Sequence, residues 1–180
     1  MNSSIVRTLG AGAAAGAAFA LTNFLTFGLF AGAQIGKTGL LFDPATQSAK
    51  VIAVWKEIAP LPLIVTKPAV VIGGWILFGI AYAVLYRFIA AAWPSARAAR
   101  VLRLATVIWL GTAFSELMGP LNLLHEPLAL SSIEFTFWAL AATIEALTIV
   151  LLSPPLAAKA GLERGSLAAP TLPSPAGSGR

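Results

Sequence analysis

Residues 104–124 read LATVIWLGTAFSELMGPLNLL, and this stretch decides the fold class of the chain. Glu116 is the only charged side chain in it. An α-helix needs about 20 apolar residues to cross the hydrocarbon core of a bilayer. Because lipid offers no hydrogen bonds to exposed backbone, a segment of this kind must be helical. The stretch therefore predicts a membrane-spanning helix that carries one buried acid.

Three further apolar runs of comparable length occur in the chain, at residues 8–33, 68–92 and 133–152. Their apolar residues are continuous rather than alternating, which excludes the strands of a β-barrel. Composition agrees, since 58% of the residues are hydrophobic and 11% are charged, whereas soluble domains carry about 25% charged residues. We predict an all-α integral membrane protein: an up-down bundle of four transmembrane helices, in a single domain over residues 1–152.

The distribution of basic residues predicts the orientation of the bundle. If the N-terminus is inside, the inner segments hold eight of the 12 lysines and arginines. The positive-inside rule then places both termini in the cytoplasm. We predict a multi-pass protein of the cell membrane, in a bacterial inner membrane. Its net charge of +5 is assigned to contacts with anionic head groups, so the lipid bilayer is the predicted partner and nucleic-acid binding is rejected.

Two segments lie outside the predicted spans. Asp43 and Pro44 resemble an N-cap followed by proline at the first helical position, and apolar residues then recur at helical spacing. This pattern predicts a short helix over about residues 44–59, lying on the outer interface as a lid or as a simple cover of the bundle. Residues 153–180 are rich in Pro, Ala, Gly and Ser and are predicted to form a disordered cytoplasmic tail.

The first span is dominated by small residues. Gly12, Gly16 and Ala20 are spaced four apart, which favours close approach of helix backbones. We predict that this face mediates association, as a homodimer or with a membrane-complex partner. The tripeptide at residues 31–33 resembles a signal-peptide cleavage site, but the uncharged run before it exceeds the usual h-region of about 7–15 residues. We therefore expect a retained helix.

Two acids, Glu116 and Glu145, lie inside the third and fourth spans. Each costs about 3 kcal/mol to place there, so both are expected to face the interior, and at least one is expected to be protonated. The functional interpretation is a proton- or cation-responsive site. The alternative is two neutral acids that fix helix register. Asn23, Thr112 and Thr148 complete the predicted polar seam, with an interhelical hydrogen bond favoured over a ligand contact for the asparagine.

A less regular stretch, GPLNLLHEP, follows at residues 119–127. Pro120 is predicted to kink or end the third helix and to free carbonyls near the acid one turn earlier. Asn122, His125 and Glu126 form a predicted outer mouth with Glu134 as a candidate fourth member. A capping box formed by Ser131 and Glu134 at the start of the fourth helix is the favoured interpretation of that last residue.

The absence of cysteine excludes thiolate chemistry, and a single histidine excludes bis-histidine haem ligation within one chain. A metal site made of Glu116, Glu126 and His125 lacks the ligand spacing of known zinc or di-iron motifs. We therefore predict no metal, no cofactor and no catalytic residue.

Three functions remain open. The first, which we favour from sequence, is a membrane subunit or structural partner with a buried carboxylate pair. The second is a proton- or cation-coupled small-molecule carrier that uses Glu116 and Glu145. The third is an intramembrane enzyme acting on a lipid or quinone-like substrate, and we expect an enzyme least.

Overall fold

The computed structural model describes residues 3–32 and 39–153, and within these ranges every regular element is helical. Two π-helices, Phe24–Phe30 and Leu117–Leu123, extend the first and fifth α-helices. The α-helices are α1 (Ser3–Asn23), α2 (Ala49–Lys56), α3 (Leu63–Thr66), α4 (Pro68–Ile89), α5 (Arg97–Glu116) and α6 (Leu128–Leu152).

Four helices in the described ranges are long and apolar enough to cross a membrane: Ser3–Phe30, Pro68–Ala92, Arg97–Leu123 and Leu128–Leu152. Their outward faces are apolar as well, with Phe88 76% exposed and Leu102 69% exposed. A water-soluble bundle would place such side chains inside. The all-helical class is thus as predicted, and so is the presence of four helices long and apolar enough to span a membrane.

The boundaries of the second span match the prediction, while those of the others differ. The first begins at Ser3, before the predicted residue 8, and the fourth begins at Leu128, before the predicted residue 133. The third begins at Arg97 and includes three arginines in its first two turns. Apolar runs mark the part of a helix that lies in hydrocarbon, and the helix itself continues into the head-group layer. Residues 154–180 of the predicted tail lie outside the described ranges.

Helix α1 packs against α4 through glycine. A Cβ atom added at Gly12 would lie 2.5 Å from Ile80 Cα, and one added at Gly16 would lie 2.5 Å from Ile76 Cα. The two helices therefore run antiparallel with their backbones in contact. The small-residue face that we predicted as an association surface is thus occupied by α4 of the same chain.

One apolar core lies between the four long helices. It consists mainly of alanine with a few larger side chains, so the helices approach one another closely. At one end, Arg87 of α4 donates hydrogen bonds to the Ser4 carbonyl and to Thr8 Oγ1, which ties the end of α4 to the start of α1. The buried members are Ala15, Ala83, Tyr86, Ala90, Leu104, Ala105, Ile108, Ala142, Ala146 and Ile149.

The opposite end of the bundle holds residues 39–66 and 124–127, and we call it the loop end. The end with Arg87 and Arg97 is called the basic end. At the loop end, Val51 of α2 is buried in a second apolar cluster that includes Leu130 and Phe137 of α6. Helix α2 therefore packs on the bundle and covers it.

Helix α2 is shorter than the predicted helix over residues 44–59, and its N-cap differs. Ser48 is the N-cap, and its side chain accepts a hydrogen bond from the Lys50 amide. Asp43 instead accepts a hydrogen bond from the Ala45 amide, which closes a tight Asx-type turn. The predicted N-cap at Asp43 was wrong because aspartate stabilises turns and helix starts by the same kind of hydrogen bond.

Candidate functional site

Three glutamates converge at the loop end. Carboxylate oxygens of Glu116, Glu126 and Glu134 all lie within 4.8 Å of one another. The first ends the α-helical part of α5, the second lies in the connector, and the third lies in the second turn of α6. The connector spans residues 124–127, so the adjacent ends of two neighbouring helices bring the three side chains together.

Glu126 is held in place from both sides. Gln47 Nε2 donates to its Oε1 at 2.6 Å, and Ser131 Oγ donates to its Oε2 at 2.9 Å. Its backbone amide donates to the Pro120 carbonyl, and the residue is 4% exposed. Gln47 also donates to the Leu41 carbonyl, so the loop over residues 39–66 is joined directly to this carboxylate.

Glu116 is equally buried but only partly satisfied. Trp138 Nε1 donates to its Oε2 at 3.3 Å. Its Oε1 is buried and has no hydrogen-bond partner within the described residues. The polar groups close enough to influence Glu116 and Glu134 electrostatically are each other, Glu126 and, for Glu116, Trp138. Within the described ranges, no lysine, arginine or histidine contributes in this way. In the part of the chain that the structure describes, Glu116 thus carries a buried oxygen without a donor within a group of three carboxyl side chains.

A change of helix type begins directly after Glu116. Pro120 has no amide hydrogen, and its ring clashes with the carbonyl four residues earlier, which belongs to Glu116. The helix continues through Pro120 as the π-helix Leu117–Leu123. The predicted disruption near Glu116 is therefore a widening of the helix rather than its end, and π-helical turns of this kind often occur at functional sites.

Asn23 directly precedes the other π-helix, Phe24–Phe30, just as Glu116 directly precedes Leu117–Leu123. Its Nδ2 donates to the Phe19 carbonyl of its own helix, and its Oδ1 is buried without a partner in the described residues. The interhelical hydrogen bond that we favoured was thus wrong. The rings of Phe19 and Phe27, one turn on either side, pack on Trp138 at 6.0 and 4.8 Å between centroids.

Glu145 does not join the three glutamates. It lies eleven residues after Glu134 on α6, about 16 Å along the helix axis, and none of the other carboxylates acts on it. It is 2% exposed and lies within electrostatic range of Tyr82 of α4. The Tyr82 hydroxyl lies 3.3 Å from where a Cβ atom of Gly111 would be. The two predicted acids therefore occupy separate places.

The remaining members of the predicted polar seam use their hydroxyl hydrogens locally. Thr112 donates to the Trp109 carbonyl, and Thr148 donates to the Ile144 carbonyl. Each hydrogen bond stays within the helix of its donor. The structure therefore brings neither threonine to the three glutamates.

The predicted outer mouth divides into two parts. Asn122 and His125 are exposed, and the backbone of His125 turns with a φ of 54°. Glu126 and Glu134 instead join Glu116. The capping-box interpretation of Glu134 was wrong, because α6 begins at Leu128 and Ser131 already lies within the helix.

Sequence reasoning missed Gln47, Ser131 as a donor, Trp138 and Tyr82. The one usable signal was for Trp138, which lies four residues after Glu134 and so on the same face of α6. Gln47 comes from a segment 79 residues away from its partner, and no local pattern indicates that contact.

Comparisons with protein-family models, with curated proteins and with solved structures find no match for this chain.

Proposed function

We propose that the protein is a cation-coupled carrier of the membrane, with its cation site at Glu116, Glu126 and Glu134. The observation that supports this function is the approach of three carboxylates to within 4.8 Å, two of them buried, without a basic residue acting on them in the described part of the chain. Ionisable groups within membrane spans are typical of ion and substrate pathways.

Electrostatics explains why such a group favours a cation. At an effective dielectric constant of about 20, two unit charges 4.8 Å apart repel by about 3.5 kcal/mol. Three ionised carboxylates include three such pairs, and burial adds a desolvation cost for each charge. A bound cation, a proton included, relieves this repulsion, so the site is most stable when it is occupied.

The position of the site suits a carrier in the predicted orientation. With the basic end in the cytoplasm of a bacterial cell, the three glutamates lie towards the outer surface of an up-down bundle. Glu145 lies about 16 Å further along α6 than Glu134, within electrostatic range of Tyr82 on α4, and supplies a second polar station towards the inner surface. Because four helices enclose little volume, the carrier is expected to work as a homodimer.

The test uses the full chain reconstituted in liposomes under an imposed membrane potential. Entry of protons is followed by internal pyranine, and entry of Mn²⁺ by quenching of internal calcein. We expect cation entry above that of protein-free liposomes, reduced at least tenfold by Glu116→Gln. Glu57→Gln changes an exposed glutamate of the loop and should leave entry unchanged.

Two results would count against the carrier. One is the absence of entry for H⁺, Na⁺, K⁺, Mg²⁺ and Mn²⁺ in liposomes that contain correctly folded protein. The other is equal entry for the wild type and Glu116→Gln. Co-purification of a second polypeptide in fixed stoichiometry would instead favour a membrane subunit, and a retained hydrophobic molecule in native mass spectrometry would favour an enzyme.

A further inference from the structure

We infer that Glu116, Glu126 and Glu134 form a binding site for one hard divalent cation of the Mg²⁺, Mn²⁺ or Ca²⁺ class. This inference rests on the proposed function in that it names the cation of the carrier. Binding itself can be measured without transport.

The spacing of the three ligand atoms fits a single ion. Oxygens at about 2.1 Å from Mg²⁺ or about 2.4 Å from Ca²⁺ lie roughly 3.0–4.8 Å from one another, from adjacent to opposite positions. The three carboxylates satisfy that upper bound, since each offers an oxygen within 4.8 Å of the others. If all three separations reached this bound, the point between the oxygens would lie about 2.8 Å from each of them, so small side-chain shifts would bring the three oxygens to bonding distance of one ion.

The donor set selects the class of ion. All three ligands are carboxylate oxygens, which suit Mg²⁺, Mn²⁺ and Ca²⁺. The chain has no cysteine and one histidine, and His125 is exposed beside the site rather than part of it. The softer nitrogen and sulfur ligands that zinc and copper sites use are therefore missing from the group.

A second observation points to a ligand independently of the clustering. Glu116 is 4% exposed, and its Oε1 is buried without a hydrogen-bond partner in the described ranges. A buried carboxylate oxygen without a donor costs about 1–3 kcal/mol or more. A metal ion bound between the three glutamates would satisfy this oxygen, and a proton shared between Glu116 and Glu134 is the competing occupant.

The surrounding hydrogen bonds assign different roles to the three ligands. Gln47 and Ser131 fix Glu126, and Trp138 fixes one oxygen of Glu116. Such contacts orient metal ligands in advance. Glu134 is the one member of the group that is half-buried as a whole residue, and no side chain other than the glutamates contacts its carboxyl group within the described ranges.

The experiment measures Mn²⁺ binding to the purified full chain in nanodiscs of zwitterionic lipid, by electron paramagnetic resonance of free Mn²⁺. We expect one saturable site per chain, with Mg²⁺ and Ca²⁺ as competitors. Glu116→Gln and Glu134→Gln should each weaken binding at least tenfold. Glu57→Gln and His125→Ala should leave it unchanged.

Folding is checked by helical circular dichroism and gel filtration. Glu134→Asp, which keeps the charge but shortens the reach, provides a variant at the less buried position if Glu116→Gln does not fold, and it should weaken binding as well. No saturable Mn²⁺ binding, or equal binding by the wild type and the glutamate variants, would overturn the metal site. Proton entry without Mn²⁺ binding refutes this inference alone, while Mn²⁺ binding without cation entry refutes the carrier alone.

Discussion

Gly16→Ala is expected to destabilise the packing of α1 against α4. The new Cβ atom would lie 2.5 Å from Ile76 Cα and 2.6 Å from the Trp75 carbonyl oxygen. Ordinary contacts of Cβ atoms begin at 3.4 Å, so the two backbones must separate by about 0.9 Å. Overpacking of this kind costs typically about 1–3 kcal/mol. Because both opposing atoms are backbone, no side-chain rotation can relieve the clash.

Helix propensity works in the opposite direction and has to be subtracted. Alanine is favoured over glycine by about 1 kcal/mol inside a helix. Gly10→Ala provides the matched control on the same helix, because no atom lies within 4 Å of its added Cβ. The control isolates propensity, and the difference between the two variants isolates the contact with α4.

The assay is unfolding of the full chain by SDS in mixed micelles, followed by circular dichroism. We expect the free energy of unfolding of Gly16→Ala to fall below that of Gly10→Ala by about 1–3 kcal/mol. Equal free energies for the two variants would refute the backbone contact between α1 and α4. A wild-type value for Gly16→Ala with a raised value for Gly10→Ala would fit the lower end of the range.

Three further predictions concern hydrogen bonds and close contacts of the site region. Trp138→Phe keeps an aromatic ring but removes the indole donor to Glu116. Loss of about 0.5–1.5 kcal/mol should lower Mn²⁺ affinity about two- to twelvefold, and unchanged affinity would contradict the orienting role. Gln47→Ala leaves Glu126 Oε1 without its donor and should lower the free energy of unfolding by about 1–3 kcal/mol. A double-mutant cycle with Glu126→Gln measures the coupling between the two side chains. Strict additivity of the two single variants would argue against the contact. Gly111→Ala brings a Cβ atom to 3.3 Å from the Tyr82 hydroxyl and should shift the unfolding midpoint in the Tyr82 background more than in Tyr82→Phe.

The spans were predictable because their cause is local. An apolar run from Pro68 to Ala92, interrupted only by Arg87 near its end, is stable in lipid only as a helix, and the second long helix has those bounds in the structure. The other helices continue past their apolar runs, since polar residues such as Arg97 can remain helical at the head-group layer. Hydropathy locates the hydrocarbon-facing part and carries no information about where the hydrogen-bonded helix ends.

The candidate site was predictable only in part because it depends on register. Glu116 was identified as buried, but it was paired with Glu145 from the depth of each acid in two neighbouring antiparallel spans. The structure instead places it beside Glu126 and Glu134, through the short connector and the π-helix that follows α5. Neither the widening at Pro120 nor the contact from Gln47 follows from spacing along the chain.

Local rules also competed at Ser131. Its spacing to Glu134 matches a capping box, yet α6 begins at Leu128 and the serine donates instead to Glu126. A serine hydroxyl can cap a helix or donate to a carboxylate. In the folded chain, Ser131 donates to the buried carboxylate of Glu126.

The connector of four residues, 124–127, leads us to expect a particular order in which the last two long helices enter a bilayer during synthesis. The third span alone would bring Glu116 into lipid without the residues that surround it, at about 3 kcal/mol on insertion scales. Those residues, Trp138 among them, belong to the next span and arrive as soon as the connector has been made. The last two spans should therefore leave the insertion machinery together as a hairpin, and a nascent chain stopped at the connector should be retained there.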